Sequence, residues 1–505
     1  MKKNVLTLAV AGAVAASAQA QMYLNSDNTG EVLIYPFYSA DNGNQTYIHV
    51  VNTTDIAKAA KVRILEAENS NEVRDFNLYL SPYDHFSFSI TLNSDGGGVL
   101  KTADTSCTVP LIPEGGIGFT NDLFKLDAGN ASLERTLNGY VEIIEMGQFA
   151  HEEKTDPGYL WEHEKGVPRD CDAVVDLWKP DGAWYEELES NTKRGVTGQL
   201  ADWTGGGLYG MGIIVNVEAG AAVGYDAVAI ENFVDDDDAD AKGAALHFYP
   251  GNPLPGLEGN EFTDNVATIF DGGAATDYTF AAGADGVTAT LNAVSGLLMV
   301  DTVSNDYVLD SFFDGKTDWV VTFPTKRLYV AKDSDTGDKA RANAPFYEEW
   351  DGKDSCDPYR IQLWDREETT YTPTPEDPPF SPYTATPDED PEICYEANVL
   401  TFAEVDKPHY SPLLGKEPSV SGGRIQVEID SRYENGWAKI DFNQSSLRGT
   451  YAEPDFHELA AGSSTLYGLP TVGFSVIRFG NDDVQGGVLA NYAAAHEHKT
   501  TRNIS

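Results

Sequence analysis

Positively charged residues are scarce in this sequence: 34 Lys and Arg stand against 80 Asp and Glu over 505 residues, a formal charge of −46. Nucleic acid as the main partner is thereby excluded, because phosphate binding needs clustered Lys and Arg. Cysteine is also rare, with 4 residues, and none of them forms a CxxC or a Cys/His cluster at zinc spacing. No apolar run reaches the roughly twenty residues that a membrane-spanning helix needs. Catalytic signatures are missing as well. There is no GxSxG elbow and no HExxH, and the GKT of FDGKTDW lacks the Gly-rich loop that would precede it in a phosphate-binding motif. Neither a 20–50-residue repeat nor the Gly/Asp nonapeptides of calcium-binding β-helices occur.

What is present suffices for a folded protein. At 41% hydrophobic and 11% aromatic the chain can bury a substantial core, so its acidity does not make it a disordered polymer. At about 150 residues per domain the length points to two to four domains. The first twenty residues read as a secretory signal peptide: Lys2 and Lys3, an apolar run from Val5 to Ala16, then the small-x-small site Ala18-Gln19-Ala20. Loss of the two lysines would take the charge to −48, and no Cys follows that would take a lipid anchor. In an exported chain four cysteines read as two disulfides. Three pairings are open; joining nearest neighbours gives Cys107 with Cys171 and Cys356 with Cys394, each closing a loop whose chain-entropy contribution is about 4 kcal/mol.

Strand signals dominate. VLIYPFYS (32–39), TYIHVVN (46–52), KVRILEA (61–67), DFNLYLS (75–81) and HFSFSITL (85–92) are β-branched and aromatic runs separated by Gly- and Asn-containing turns. In the last of these, Phe86, Phe88 and Ile90 alternate with Ser87 and Ser89, the period of a half-buried strand. Similar runs recur at 140–146, 210–217, 318–324, 327–332, 359–366, 423–429, 436–442 and 471–479. The expected fold is mainly β, an antiparallel, immunoglobulin-like β-sandwich. Helix is expected only over Ala219–Val234 and around Val488–Ala495. Between Gly195 and Gly315 nineteen acidic residues meet a single basic one, Lys242, with DDDDAD at 235–240, so this stretch reads as an acidic insertion or second domain. From Thr372 to Pro391 seven prolines in twenty residues mark an extended loop or linker. The expected organisation is therefore signal peptide 1–20, N-terminal sandwich 21–194, acidic segment 195–315, β segment 316–371, Pro-rich loop 372–391, and C-terminal β segment 392–505 that completes the first sandwich.

Several groups invite a chemical reading. Dense acidic loops suit hard cations such as Ca2+, which take six to eight oxygens. The candidates are Asp235, Asp236, Asp237 and Asp238; Asp333, Asp335 and Asp338; and Asn25 with Asp27, none at EF-hand spacing. A solvated acidic face is the competing reading for each. Adjacent Asp84 and His85 point to opposite faces of a strand and so make no dyad. His496 and His498 read as a solvated terminal pair before a metal site. Trp161, Trp178, Trp184 and Trp203 would suit a sugar-stacking platform, although core Trp is the default.

The run GEVLIYPFYSADNGNQTYIHVVNTTDIAKAAKVRILEAENSNEVRDFNLYLSPYDHFSFSI, with DWVVTFPTKRLYV and LPTVGFSVIRFGNDDVQGGVLANYAAAHEHK, resembles large secreted surface proteins of marine gamma-proteobacteria, among them the surface-layer proteins of Pseudoalteromonas-like bacteria. The resemblance implies a self-assembling, cation-dependent lattice subunit held at the lipopolysaccharide surface, and it brings no catalytic residues. The leading expectation is thus a non-enzymatic structural protein whose main partner is itself, exported to the cell surface outside the outer membrane of a Gram-negative bacterium, with periplasm or medium as alternatives. An adhesin or polysaccharide-binding module and a secreted hydrolase are the other classes.

Overall fold

The computed structural model describes residues 21–126, 130–185, 200–201, 203, 205–234, 246–260, 263–284, 286–312, 314–330, 344–366, 370–371, 391–404, 413–414, 424–429, 433–443, 456–480 and 491–505. The leader 1–20 and the Pro-rich segment up to Asp390 lie outside them. The fold is mainly β, in antiparallel sheets with two parallel pairings.

Sheet I has nine strands in the order 274–279, 266–271, 22–24, 228–231, 32–39, 138–149, 57–66, 72–80 and 107–109. Sheet II has six: 221–226, 208–216, 44–52, 85–92, 98–101 and 117–118. The two pack face to face as a sandwich. Leu33, Tyr35 and Phe37 from one meet Ile48, Val50, Phe86, Phe88 and Ile90 from the other in a single core. Strand His85–Leu92 alternates in burial as its sequence predicts, whereas Val32–Ser39 and Asn138–Phe149 are buried at every position. Those two strands are covered on both faces, which is why VLIYPFYS runs nearly unbroken in apolar residues and why even Glu142 and Glu145 of the second strand are buried. Their second face packs under helix α2 (Ala289–Leu298) and under the aromatic loop that carries helix α1 (Cys171–Leu177).

Sheet III comprises strands 424–429, 397–404, 315–322, 472–479 and 492–497; sheet IV comprises 370–371, 360–365, 435–441, 302–308 and 499–501. Sheet III serves two cores at once. Val320, Val399, Phe474 and Val476 join the core of the first sandwich, while Trp319, Val321, Leu400 and Phe402 face sheet IV. Tyr225 of sheet II stacks on Phe474 at 4.6 Å, carrying the first core across to sheet III. The last residues of the chain then tie three sheets together: 492–497 pairs with 472–479, 499–501 with 302–308, and 503–504 with 464–467.

Several expectations need correction. The acidic segment does not stand apart: its strands 208–216 and 221–226 lie in sheet II, and 228–231 and 266–271 in sheet I. The helix expected over 219–234 is instead the strands Ala221–Asp226 and Val228–Glu231, because Ala221, Val223 and Tyr225 alternate inward at period two. Tyr492–Glu497, part of the second expected helix, is a strand. In the opposite sense, the strand expected over 327–332 begins as a short helix, α3 (Arg327–Val330), since the turn bonds Lys326 N to Phe323 O and Leu328 N to Thr325 O close the chain up after Pro324. The C-terminal strands complete sheet III rather than the first sandwich alone, so the segment boundaries at 194, 315 and 371 do not separate independent cores.

Candidate functional site

Of the acidic loops read as cation sites, Asp235–Asp238 and Asp333, Asp335 and Asp338 lie outside the described residues. The Asn25 loop is described and closes on itself: the Asn25 amide donates to the Thr29 carbonyl and hydroxyl, and its carbonyl oxygen accepts from Asp27 N. One cluster among the described residues gathers three metal-competent side chains, Cys356, Glu392 and Cys394, but its two sulfurs are joined to each other. The disulfides are Cys107–Cys171 and Cys356–Cys394, the nearest-neighbour pairing.

The tryptophans proposed as a sugar platform are core residues instead. Trp161, Trp178 and Trp184 are buried with Tyr79, Phe149 and His247 against sheet I. Trp178 Nε1 donates to the Tyr79 hydroxyl at 2.7 Å, and that hydroxyl lies 3.0 Å from His247 Nε2. Burial, aided by nearby Lys61, pushes the His247 imidazole down to about 3, so it is neutral. Trp203 reaches inward as well, donating to Glu31 at 2.9 Å. Large apolar faces of this type bury first, as energetics dictate. The exposed indoles lie elsewhere. Trp364 and Trp437 sit directly opposite on neighbouring strands of sheet IV and stack at 4.0 Å and 9°, with Trp437 40% exposed. Their alternation in YRIQLWDR and GWAKIDF was the available signal.

Among the described residues Ser81, His163 and Asp84 come together, but not in hydrolytic geometry. The Ser81 hydroxyl is 2.8 Å from His163 Nδ1 and Asp84 Oδ2 is 3.6 Å from the same nitrogen. A proton relay needs serine and carboxylate on opposite ring nitrogens, so this imidazole cannot pass a proton from one to the other. Burial raises the Asp84 carboxyl, opposed by His163. Asp84 and His85 indeed form no dyad; the Asp84 carboxylate caps its own turn, accepting from Ser81 N and His85 N. His498 is not fully solvated: it is half-buried, in contact with Trp319, with Nε2 2.9 Å from the Val320 carbonyl, and desolvation pushes it down to about 4.

The densest unexpected chemistry is buried charge. On the central strands of sheet I, Lys58 meets Glu145 at 2.6 Å with both side chains fully buried, Arg63 bonds Glu72 and Glu142, and Arg135 bonds Glu66. Burial pushes Glu145 and Glu142 up to about 7 despite their Lys58 and Arg63 partners, and Glu31 up to about 8. A second cluster lies in the other core. Lys326 Nζ comes within 2.8 Å of Asp357 Oδ2, both buried, and His457 Nε2 lies 3.4 Å from Asp357 Oδ1. The disulfide Cys356–Cys394 joins the segment that carries Asp357, the next residue, to the segment that carries Glu396, two residues after the second cysteine. Burial pushes Glu396 up to about 8, against Lys326, the Ser70 hydroxyl and the Arg327 amide. Lys and Glu inside otherwise apolar strands, as in AKAAKVRILE and YVEIIEM, were the sequence signal for the first cluster. The second joins segments so far apart in the chain that no local pattern marks it. Set beside known proteins, the chain matches no family model, no curated protein and no solved structure.

Proposed function

We propose that the chain is an exported structural protein, a surface-layer-like subunit that assembles with copies of itself on the outer face of a Gram-negative outer membrane, with divalent cations such as Ca2+ bridging its acidic faces. It acts by assembly and not by catalysis. The observation that carries this reading is the edge strand Ala274–Thr279. It closes one side of the nine-stranded sheet, is exposed along nearly its whole length, and pairs among the described residues only with 266–271. Natural edge strands are blunted by charged side chains, Pro or bulges; AATDYT carries one such residue, Asp277, which accepts from the Thr268 hydroxyl of the neighbouring strand, and Phe270 beside the strand is exposed. Such an edge is a template for strand addition by another chain. Two disulfides suit an oxidising compartment, and no helix among the described residues is long and apolar enough to cross a membrane. A formal charge of −46 makes lateral packing depend on counter-ions.

The test is assembly of the purified chain in millimolar Ca2+ against chelator, read by sizing and negative stain. Ordered arrays that dissolve in chelator and fail to form in Thr276→Lys are expected; a wild-type chain that stays monodisperse in calcium sinks the reading. A second reading, binding of a surface polysaccharide such as lipopolysaccharide, is favoured by the exposed Trp364–Trp437 pair, since parallel indoles offer a face to a sugar ring.

A further inference from the structure

We propose that Lys326 and Asp357 condense into an intramolecular isopeptide bond that covalently cross-links the second core. The Lys326 ammonium sits in a dry pocket between the Phe323 and Phe346 rings, 5.7 and 5.6 Å from their centroids, with its side chain 1% and that of Asp357 0% exposed. It approaches Asp357 Oδ2 at 2.8 Å, yet off the hydrogen-bond direction: Oδ2 has no aligned hydrogen-bond donor, and the aligned bond of Nζ goes to the Ser355 carbonyl. The amine is thus held beside the carboxyl group rather than docked on its lone pair. The other oxygen, Oδ1, is fixed by the Tyr347 amide at 2.7 Å, a rigid backbone donor placed where negative charge would gather on attack at Cγ. His457 Nε2 faces the same oxygen, and its Nδ1 is 2.8 Å from the Phe442 carbonyl, to which it donates.

The chemistry balances without any co-reactant. Burial raises the Asp357 carboxyl, but Lys326 and His457 outweigh it and hold the resting carboxylate ionised. Reaction therefore starts from the minor neutral form of the pair, in which a proton has passed from the ammonium to the carboxylate; the neutral Nζ adds to Cγ; the new oxyanion on Oδ1 is held by Tyr347 N–H; and Oδ2 leaves as water, taking two of the three ammonium protons. The C–N bond forms, one C–O bond breaks, and the product is a neutral amide. Glu396 carries the proton: its buried carboxyl, protonated at neutral pH and in electrostatic contact with Lys326, gives a proton to the departing oxygen and regains one from nitrogen. Its Oε2 has no hydrogen-bond partner among the described residues. The driving force is also visible. Keeping two opposite charges in a dry core costs desolvation, which at Asp357 is offset only by Lys326 and His457, and condensation removes both charges.

Intact mass of the full mature chain, measured after reduction and denaturation, tests this. The wild-type chain is expected to be lighter than its sequence by one water, to resist tryptic cleavage after Lys326, and to yield a branched peptide joining Lys326 to Asp357. Asp357→Ala and the isosteric Glu396→Gln are expected at full sequence mass, with trypsin cleaving after Lys326. A wild-type chain at full sequence mass overturns the proposal, whatever the variants do, and so does a water loss that maps to any other pair, Lys58 with Glu145 included.

Discussion

Each half of the molecule holds a lysine and a carboxylate that are both wholly buried, Lys58 with Glu145 and Lys326 with Asp357, and the two pockets differ in what holds the acid. In the first sandwich Glu145 Oε1 receives an aligned bond from Lys58 and another from Gln148, at 2.6 and 2.9 Å, both from side chains. In the second core Asp357 has a backbone amide on one oxygen and an unaligned lysine beside the other. Both pockets contain a further glutamic acid raised to about 8, Glu31 in one and Glu396 in the other, so burial alone does not distinguish them. The difference lies in geometry. Lys58 is docked on one oxygen of an acid whose other oxygen has no hydrogen-bond partner among the described residues, whereas Lys326 is held against a carboxyl group that a backbone amide fixes, and is positioned to react.

Rescue experiments should expose this contrast most strongly. Lys58→Met strands Glu145 in the core and is expected to cost about 3–5 kcal/mol in urea unfolding, while Lys58→Met combined with Glu145→Leu recovers most of the loss, as buried ion pairs exchanged for apolar groups do. Lys326→Met combined with Asp357→Leu is not expected to recover, because it removes a covalent closure as well as two charges. Equal rescue in both halves would erase the distinction.

The disulfides provide the next largest effect. Replacing either pair by serine is expected to cost up to about 4 kcal/mol in unfolding free energy on loop-closure grounds, the loops spanning 64 and 38 residues. Only Cys356→Ser with Cys394→Ser should also reduce the fraction of chain carrying the Lys326–Asp357 link, because Asp357 and Glu396 are positioned from that staple. Cross-link yield by mass, measured on both variants, separates the two.

Desolvated titrating groups bound stability on both sides of an optimum that lies below neutrality. His247 and His498 are pushed down to about 3 and about 4, so the unfolded chain binds more protons than the folded one below pH about 6.5; their contribution is present above that value and is lost as pH falls towards 4 and then 3. Glu31, Glu142 and Glu145 are pushed up to about 8, 7 and 7, so the folded state holds protons that the unfolded one releases; stability from this source falls as pH rises from about 4.5 through 7 to 8. The melting temperature is therefore expected to peak between these limbs, and His247→Phe should flatten the acid limb while lowering neutral stability by about 1–3 kcal/mol through the Tyr79 hydroxyl it leaves without its acceptor.

How much of this was legible in sequence follows from the range of each interaction. Period-two alternation in HFSFSITL and unbroken apolar runs such as VLIYPFYS report local burial, and the strands they predict are present. Ala-rich AAVGYD read as helix because alanine favours helix intrinsically, but inward Val223 and Tyr225 on sheet II override that preference. The even cysteine count predicted two disulfides and left three pairings open, of which the nearest-neighbour one is observed. The pocket of Lys326, Asp357, Glu396 and His457 was invisible because its members lie on four segments that only the tertiary fold assembles, and in a chain with 80 carboxylates no single Asp stands out. For the tryptophans the default core reading holds, since crowding in sequence from 161 to 203 reflects a shared core, whereas Trp364 and Trp437, far apart in the chain, are the pair brought together at the surface.

That surface pair yields the smallest expected change in stability and the clearest contrast with the buried indoles. Trp437→Ala removes a partly exposed ring whose stacking on Trp364 is worth about 0.5–1.5 kcal/mol, so the melting temperature should fall by only a few degrees. Trp184→Ala, by comparison, empties a site at the centre of the aromatic chamber and should cost about 3–5 kcal/mol. If sheet IV holds a polysaccharide, Trp437→Ala abolishes retention on a matrix of immobilised surface polysaccharide while leaving calcium-driven assembly intact, because the edge strand Ala274–Thr279 lies in a different sheet. Loss of assembly in Trp437→Ala with retention unchanged would instead move the self-contact onto sheet IV and leave the first sandwich's open edge without a partner.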